Sequence, residues 1–126
     1  MARVPLIAII DDDDAVRVAA GSLVRSLGFF VRTFASAEEF LESDIAGTAA
    51  CLVTDVHMPG ISGLDLQDLL VARGQAIPVI VITAYPEEVI QIRAQAAGAV
   101  AVLRKPFDGQ SLADSITDAL RKEKGS

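Results

Sequence analysis

The stretch Leu6-Ile7-Ala8-Ile9-Ile10-Asp11-Asp12-Asp13-Asp14 decides the fold, because five apolar residues run without alternation into four consecutive acids. A strand apolar on both faces belongs in a parallel sheet covered by helices, whereas a half-exposed strand alternates apolar and polar positions. Similar runs recur: Cys51 to Thr54 leads into Asp55, Val79 to Ile82 into Thr83, and Ala99 to Leu103 into Arg104 and Lys105. A more mixed run, Phe29 to Phe34, carries no such polar end. In an open parallel sheet the carboxyl ends of the strands share one edge, and ligands bind there. Asp11, Asp12, Asp55, Thr83 and Lys105 are therefore expected in a single pocket.

Between these runs the apolar spacing becomes helical. Val16, Ala20, Leu23, Val24 and Leu27 follow Asp14, and Gly28 terminates that helix. Ser36 and Glu39 read as a capping box ahead of Phe40 and Leu41, and Ser62 starts a helix carrying Leu64, Leu66, Leu69 and Leu70 up to Gly74. Pro86 in a first turn leads into Val89, Ile90, Ile92, Ala96 and Ala97 before Gly98, and Asp108 precedes Leu112, Ile116, Thr117 and Leu120. Strand and helix thus alternate five times, which predicts an α/β fold with a doubly wound five-stranded parallel sheet. Right-handed crossovers put helices on both faces, and the reversal of winding beside the first strand opens a cleft at Asp11 and Asp12. Residues 1–126 read as one domain, with a fraying charged tail from Arg121 to Ser126.

Composition agrees, since 126 residues with 52% hydrophobic content can bury one sizeable core. A net charge of −6 argues against a nucleic-acid surface, which needs clustered Lys and Arg. The single cysteine, Cys51, excludes an internal disulfide framework and reads as a buried thiol, which fits a reducing cytoplasm. One basic residue, Arg3, and a short apolar segment precede the acids, too little for a signal peptide and far below the ~20 residues that span a bilayer.

Clustered carboxylates repel one another and call for a cation, and oxygen ligands with open positions suit Mg2+. Asp13 and Asp14 can equally serve the helix start through its dipole. Asp55 is followed by the turn-rich Met58-Pro59-Gly60 and Ser62-Gly63, so its carboxylate is expected to be accessible as a nucleophile toward phosphorus. Thr83 offers a hydrogen bond, Lys105 a positive charge and Mg2+ a third partner for the oxygens of a metaphosphate-like transition state. Taken singly, Thr83 is also a capping hydroxyl and Lys105 a surface lysine.

Together Ile10-Asp11-Asp12, Leu52 to Gly63, Ile80-Val81-Ile82-Thr83-Ala84 and Gly98-Ala99 leading into Lys105-Pro106-Phe107 resemble the receiver domain of two-component response regulators. The likeness covers essentially the whole chain and is similar to the receivers of nitrogen-fixation and LuxR-type regulators. It implies a CheY-like, flavodoxin-like (βα)5 fold with strand order 2-1-3-4-5. By the same resemblance, Asp55 takes a phosphoryl group from a histidine kinase or histidine phosphotransfer protein. Asp12, Asp55 and the His57 carbonyl ligate Mg2+, Asp11 holds a metal-bound water, and Thr83 and Lys105 contact the phosphoryl group. A cis Lys105-Pro106 bond aims the lysine. The activity implied is autocatalytic transfer and slow self-dephosphorylation, not that of an enzyme acting on other substrates.

One position departs from the family, which carries Tyr or Phe three residues before the lysine where this chain has Val102. Tyr85 is the only tyrosine, and it is expected to gate the site or partly replace that ring. With His57 it flanks the path of hydrolytic water, so the phosphorylated state should last minutes or longer. Partner surfaces are expected on the first helix (Val16, Arg17, Ala20) for a kinase, and on the fourth helix, fifth strand and fifth helix for a homodimer or output module. A haloacid-dehalogenase-type hydrolase needs a second acid two residues after the nucleophile, where His57 stands. A stand-alone adaptor or phosphate sink competes with a transcription-factor receiver, because no DNA-binding segment follows Lys124.

Overall fold

The computed structural model describes residues 4–125, with side chains described from Val4 to Arg121. Arg3, and the charged side chains of the tail beyond Arg121, lie outside the described residues. The elements run β1 (Leu6–Ile10), α1 (Asp14–Ser26), β2 (Phe30–Phe34), α2 (Ala37–Glu42), β3 (Cys51–Asp55), α3 (Gly63–Ala72), β4 (Val79–Thr83), α4 (Glu88–Ala96), β5 (Ala101–Arg104) and α5 (Gly109–Gly125). All pairings are parallel, in the order β2-β1-β3-β4-β5. α5 is bounded at Gly125, and the expected fraying of the Arg121 to Ser126 tail lies outside the residues whose side chains are described.

The unalternating strands are explained by two cores, one on each face of the sheet. Ile7 and Ile9 point to the side covered by Ala20, Val24, Leu112 and Ile116, while Ala8 and Ile10 point to the side covered by Phe40, Leu66, Leu70 and Ala94. Successive strand residues face opposite ways, so both sets must be apolar when both faces are covered. Cys51 is buried in β3 against the first of these sides.

Helix starts follow their caps. Asp13 accepts the Ala15 and Val16 amides, Ser36 accepts the Glu39 amide and Ser62 accepts the Asp65 amide. Glu39 returns its carboxylate to the Ala35 amide, at 3.4 Å, one residue before the position a reciprocal capping box uses.

Several boundaries differ from the sequence reading, β2 beginning at Phe30 and not Phe29. Pro86 is not in the first turn of α4, because Glu87 is extended (ψ 152°) and takes the cap position. β5 begins at Ala101, not Ala99: Gly98 turns at φ +92°, and the Ala99 amide is spent on the Ala94 carbonyl that closes α4. The expected apolar face of α4 is also incomplete, since Ile90 and Ala94 are buried but Val89 and Ile92 face solvent.

Candidate functional site

Parallel register brings the strand ends together. Ile10 pairs with Thr54, and Asp55 pairs with Ile82, so Asp11 and Asp12, Asp55 and Thr83 leave neighbouring strands at one edge. One carboxylate oxygen each from Asp11, Asp12 and Asp55 lie within 4.8 Å of one another. Asp11 and Asp55 are buried and Asp12 is exposed at the mouth. Lys105 enters from β5, with Nζ 2.9 Å from Asp11 Oδ2 and 3.3 Å from Asp55 Oδ1. Its peptide bond to Pro106 is cis.

Each group is held from behind. The Asp11 amide donates to the Phe34 carbonyl at 3.1 Å, and Asp11 Oδ1 accepts the Asp13 amide at 2.9 Å. Asp11 Oδ2 is buried, with the Lys105 ammonium 2.9 Å away. Thr83 is fully buried; its Oγ1 accepts the Tyr85 amide at 3.0 Å, which leaves the hydroxyl proton to donate elsewhere. Gly63 is required by close approach, since a Cβ there would overlap the Asp55 carbonyl.

Burial, then the negative charge of Asp11, pushes the Asp55 carboxyl above its ordinary value, against the opposing pull of Lys105. Burial acts to lower the Lys105 ammonium, but the Asp11 and Asp55 carboxylates outweigh it and hold its pKa above the ordinary value. Two of three acids thus share one cation, and the net negative charge that remains fits a divalent metal. Asp11, Asp12 and Asp55 are the residues that could hold one.

Asp13 and Asp14 stay out of this set: Asp13 caps α1 and Asp14 pairs with Arg17. His57 is exposed and its ring meets that of Tyr85 edge-to-face, centroids 5.9 Å apart, with Tyr85 65% exposed. Val102 is partly buried against the core cluster that contains Val81, Ile90 and Ala94. The expected kinase-facing set is corrected in two places. Ala20 is fully buried, and Arg17 is turned inward to the Asp11 carbonyl at 2.7 Å. Sequence reasoning gave Arg17 no part in the site, although its i,i+3 spacing from Asp14 was a usable signal. Glu38, which accepts the Ile61 amide at 3.3 Å, was missed with no local signal at all.

An open parallel sheet wound 2-1-3-4-5, with an acidic pocket beside a lysine at its carboxyl edge, defines a flavodoxin-like receiver architecture. The chain belongs to the response-regulator receiver family of two-component signalling, its residues 7–117 matching the model of the response regulator receiver domain. It is 42% identical over 119 residues to the response regulator protein TodT of Pseudomonas putida, covering 94% of this chain and 52% of that one. It is 40% identical over 112 residues to the transcriptional regulatory protein TdiR of Thauera aromatica, covering 89% and 49%. The chain thus spans about half the length of these curated relatives. The crystal structure of FixJ-N superposes with a TM-score of 0.84 at 33% identity, covering 95% of this chain and 96% of that one. Among the described residues no helix is long and apolar enough to cross a membrane.

Proposed function

We propose that the chain accepts a phosphoryl group on Asp55 from a phosphohistidine of a kinase or phosphotransfer protein, in a Mg2+-dependent step in the cytoplasm. The observation that carries this is the convergence of three carboxylates within 4.8 Å on a lysine Nζ 3.3 Å from Asp55. Asp55 Oδ attacks phosphorus, the P–N bond breaks and the imidazole leaves, so an acyl phosphate forms on Asp55. Lys105 and the Thr83 hydroxyl neutralise and hydrogen-bond the phosphoryl oxygens as charge spreads over them. Asp11, Asp12, Asp55 and the His57 carbonyl would hold Mg2+, which when bound supplies positive charge for those oxygens. Water later cleaves the acyl phosphate, and the His57 and Tyr85 rings narrow its approach.

An apolar groove of about 570 Å³ lined by Ala15, Val16, Ala19, Ala84, Pro106 and Phe107 opens beside Lys105, which supports docking of a helical partner there. Exposed Val89 and Ile92 on α4 support a second contact face for a homodimer or an output domain. That TodT and TdiR are about twice as long favours a receiver that controls an attached output domain over a free-standing phosphate sink. Acetyl phosphate with Mg2+ should add one phosphoryl group to the intact mass. The adduct should vanish in Asp55→Asn and on chelation of the metal, and an adduct that survives Asp55→Asn would overturn the assignment.

A further inference from the structure

The loop between β3 and α3 carries His57 and is pinned at both ends: the Val56 amide donates to the Ile82 carbonyl, and the Gly63 amide to the Val56 carbonyl, each at 3.0 Å. Its middle is pinned by a residue distant in sequence. Glu38, in the first turn of α2, reaches across so that Oε2 accepts the Ile61 amide at 3.3 Å. Its other oxygen, Oε1, is buried without a hydrogen-bond partner among the described residues. A half-satisfied carboxylate is costly to keep inside a fold, so its position calls for a reason. Gly60 supplies the matching shape: it turns at φ +76°, and a Cβ there would overlap Glu38 Oε2. The backbone is moulded around this carboxylate. α2 itself is fixed, because Phe40 is fully buried against Phe34.

We infer that Glu38 is a positioning residue for the phosphoacceptor site. It latches the 56–62 loop from α2 and so sets where the His57 carbonyl stands relative to Asp12 and Asp55. The inference rests on the metal-site reading above. The latch acts through a hydrogen-bond acceptor and needs no negative charge, so an amide in its place keeps it.

Mg2+ titration of the intact chain by calorimetry tests this, with thermal unfolding as a control for stability. Glu38→Ala should weaken Mg2+ binding about three- to tenfold, the range of one net hydrogen bond, while Glu38→Gln, which retains an acceptor, should bind within about twofold of the native chain. Equal affinity for Glu38→Ala and the native chain, or equal loss in Glu38→Ala and Glu38→Gln, would overturn the latch. A native chain that takes up no Mg2+ would instead overturn the metal site itself.

Discussion

At the scale of single residues, the position of each hydroxyl, ring and ammonium follows from what holds it. Thr83 spends its acceptor on the Tyr85 amide, so any movement of its hydroxyl toward a phosphoryl group pulls on the backbone that carries Tyr85. The Tyr85 ring is largely exposed, yet it rests edge-to-face on His57 beside the proposed nucleophile. This arrangement fits a gate over the path of hydrolytic water, and it gives Tyr85 a role that Val102, partly buried against the core, does not have the ring to fill. Tyr85→Ala should shorten the lifetime of phosphorylated Asp55 by about three- to tenfold, the range expected when one aromatic edge contact and its shielding are lost. Following the decay of the phosphoprotein mass after removal of acetyl phosphate measures this, and an unchanged lifetime would remove Tyr85 from the gate. The existence of the five pocket residues was legible because each ends a strand run. Glu38 was not, because its partner lies 23 residues away and no local pattern links them.

At the scale of elements, α2 is the smallest helix and depends most on a single anchor. Six residues are too few to be stable by propensity alone, so tertiary packing must hold the helix. Phe40 is fully buried, with its ring 5.6 Å from Phe34 at 77°. Phe40→Ala should cost about 3–5 kcal/mol in urea unfolding, the usual range for a phenylalanine emptied from a core; a loss below about 1 kcal/mol would mean that the site collapses freely. α4 is held differently. Arg93 bridges to Asp65 and Asp68 of α3 at 2.9 and 2.8 Å, and buried Gln67 donates to the Ala94 carbonyl at 3.3 Å. Helical spacing alone did not reveal that α4 leaves Val89 and Ile92 in solvent, since periodicity identifies a helix but not how deeply it is seated.

At the scale of the whole molecule, a chain of net charge −6 concentrates part of its excess negative charge at one sheet edge. The Asp55 carboxyl is raised above its ordinary value of 3.8 by burial and by Asp11. Its folded state therefore binds a proton more tightly than its unfolded state, and stability increases as pH falls through the folded value toward 3.8. Asp65 has the opposite sign: hydrogen bonds from Arg93 and then Ser62 lower it, so its contribution is present above 3.8 and lost as pH falls below. Without metal, the midpoint of thermal unfolding should consequently rise as the native chain is taken from pH 7 down toward 3.8. Asp55→Asn should raise the midpoint at pH 7 and flatten that rise. A native chain whose stability falls over this interval, with Asp55→Asn no more stable at pH 7, would show that repulsion at the edge is not a stability term.

The sequence by itself determined the alternation of five strands and five helices, the helix starts at Ser36 and Ser62, and the polar residue at the end of each key strand. All of these depend on neighbours within a few positions, where local propensity and periodicity act. Tertiary structure alone decided that Lys105 divides its charge between Asp11 and Asp55, and that Glu38 reaches the loop after Asp55. Those contacts join segments distant in the chain, and their geometry exists only after the sheet has set the spacing between strand ends and the helices have packed against it.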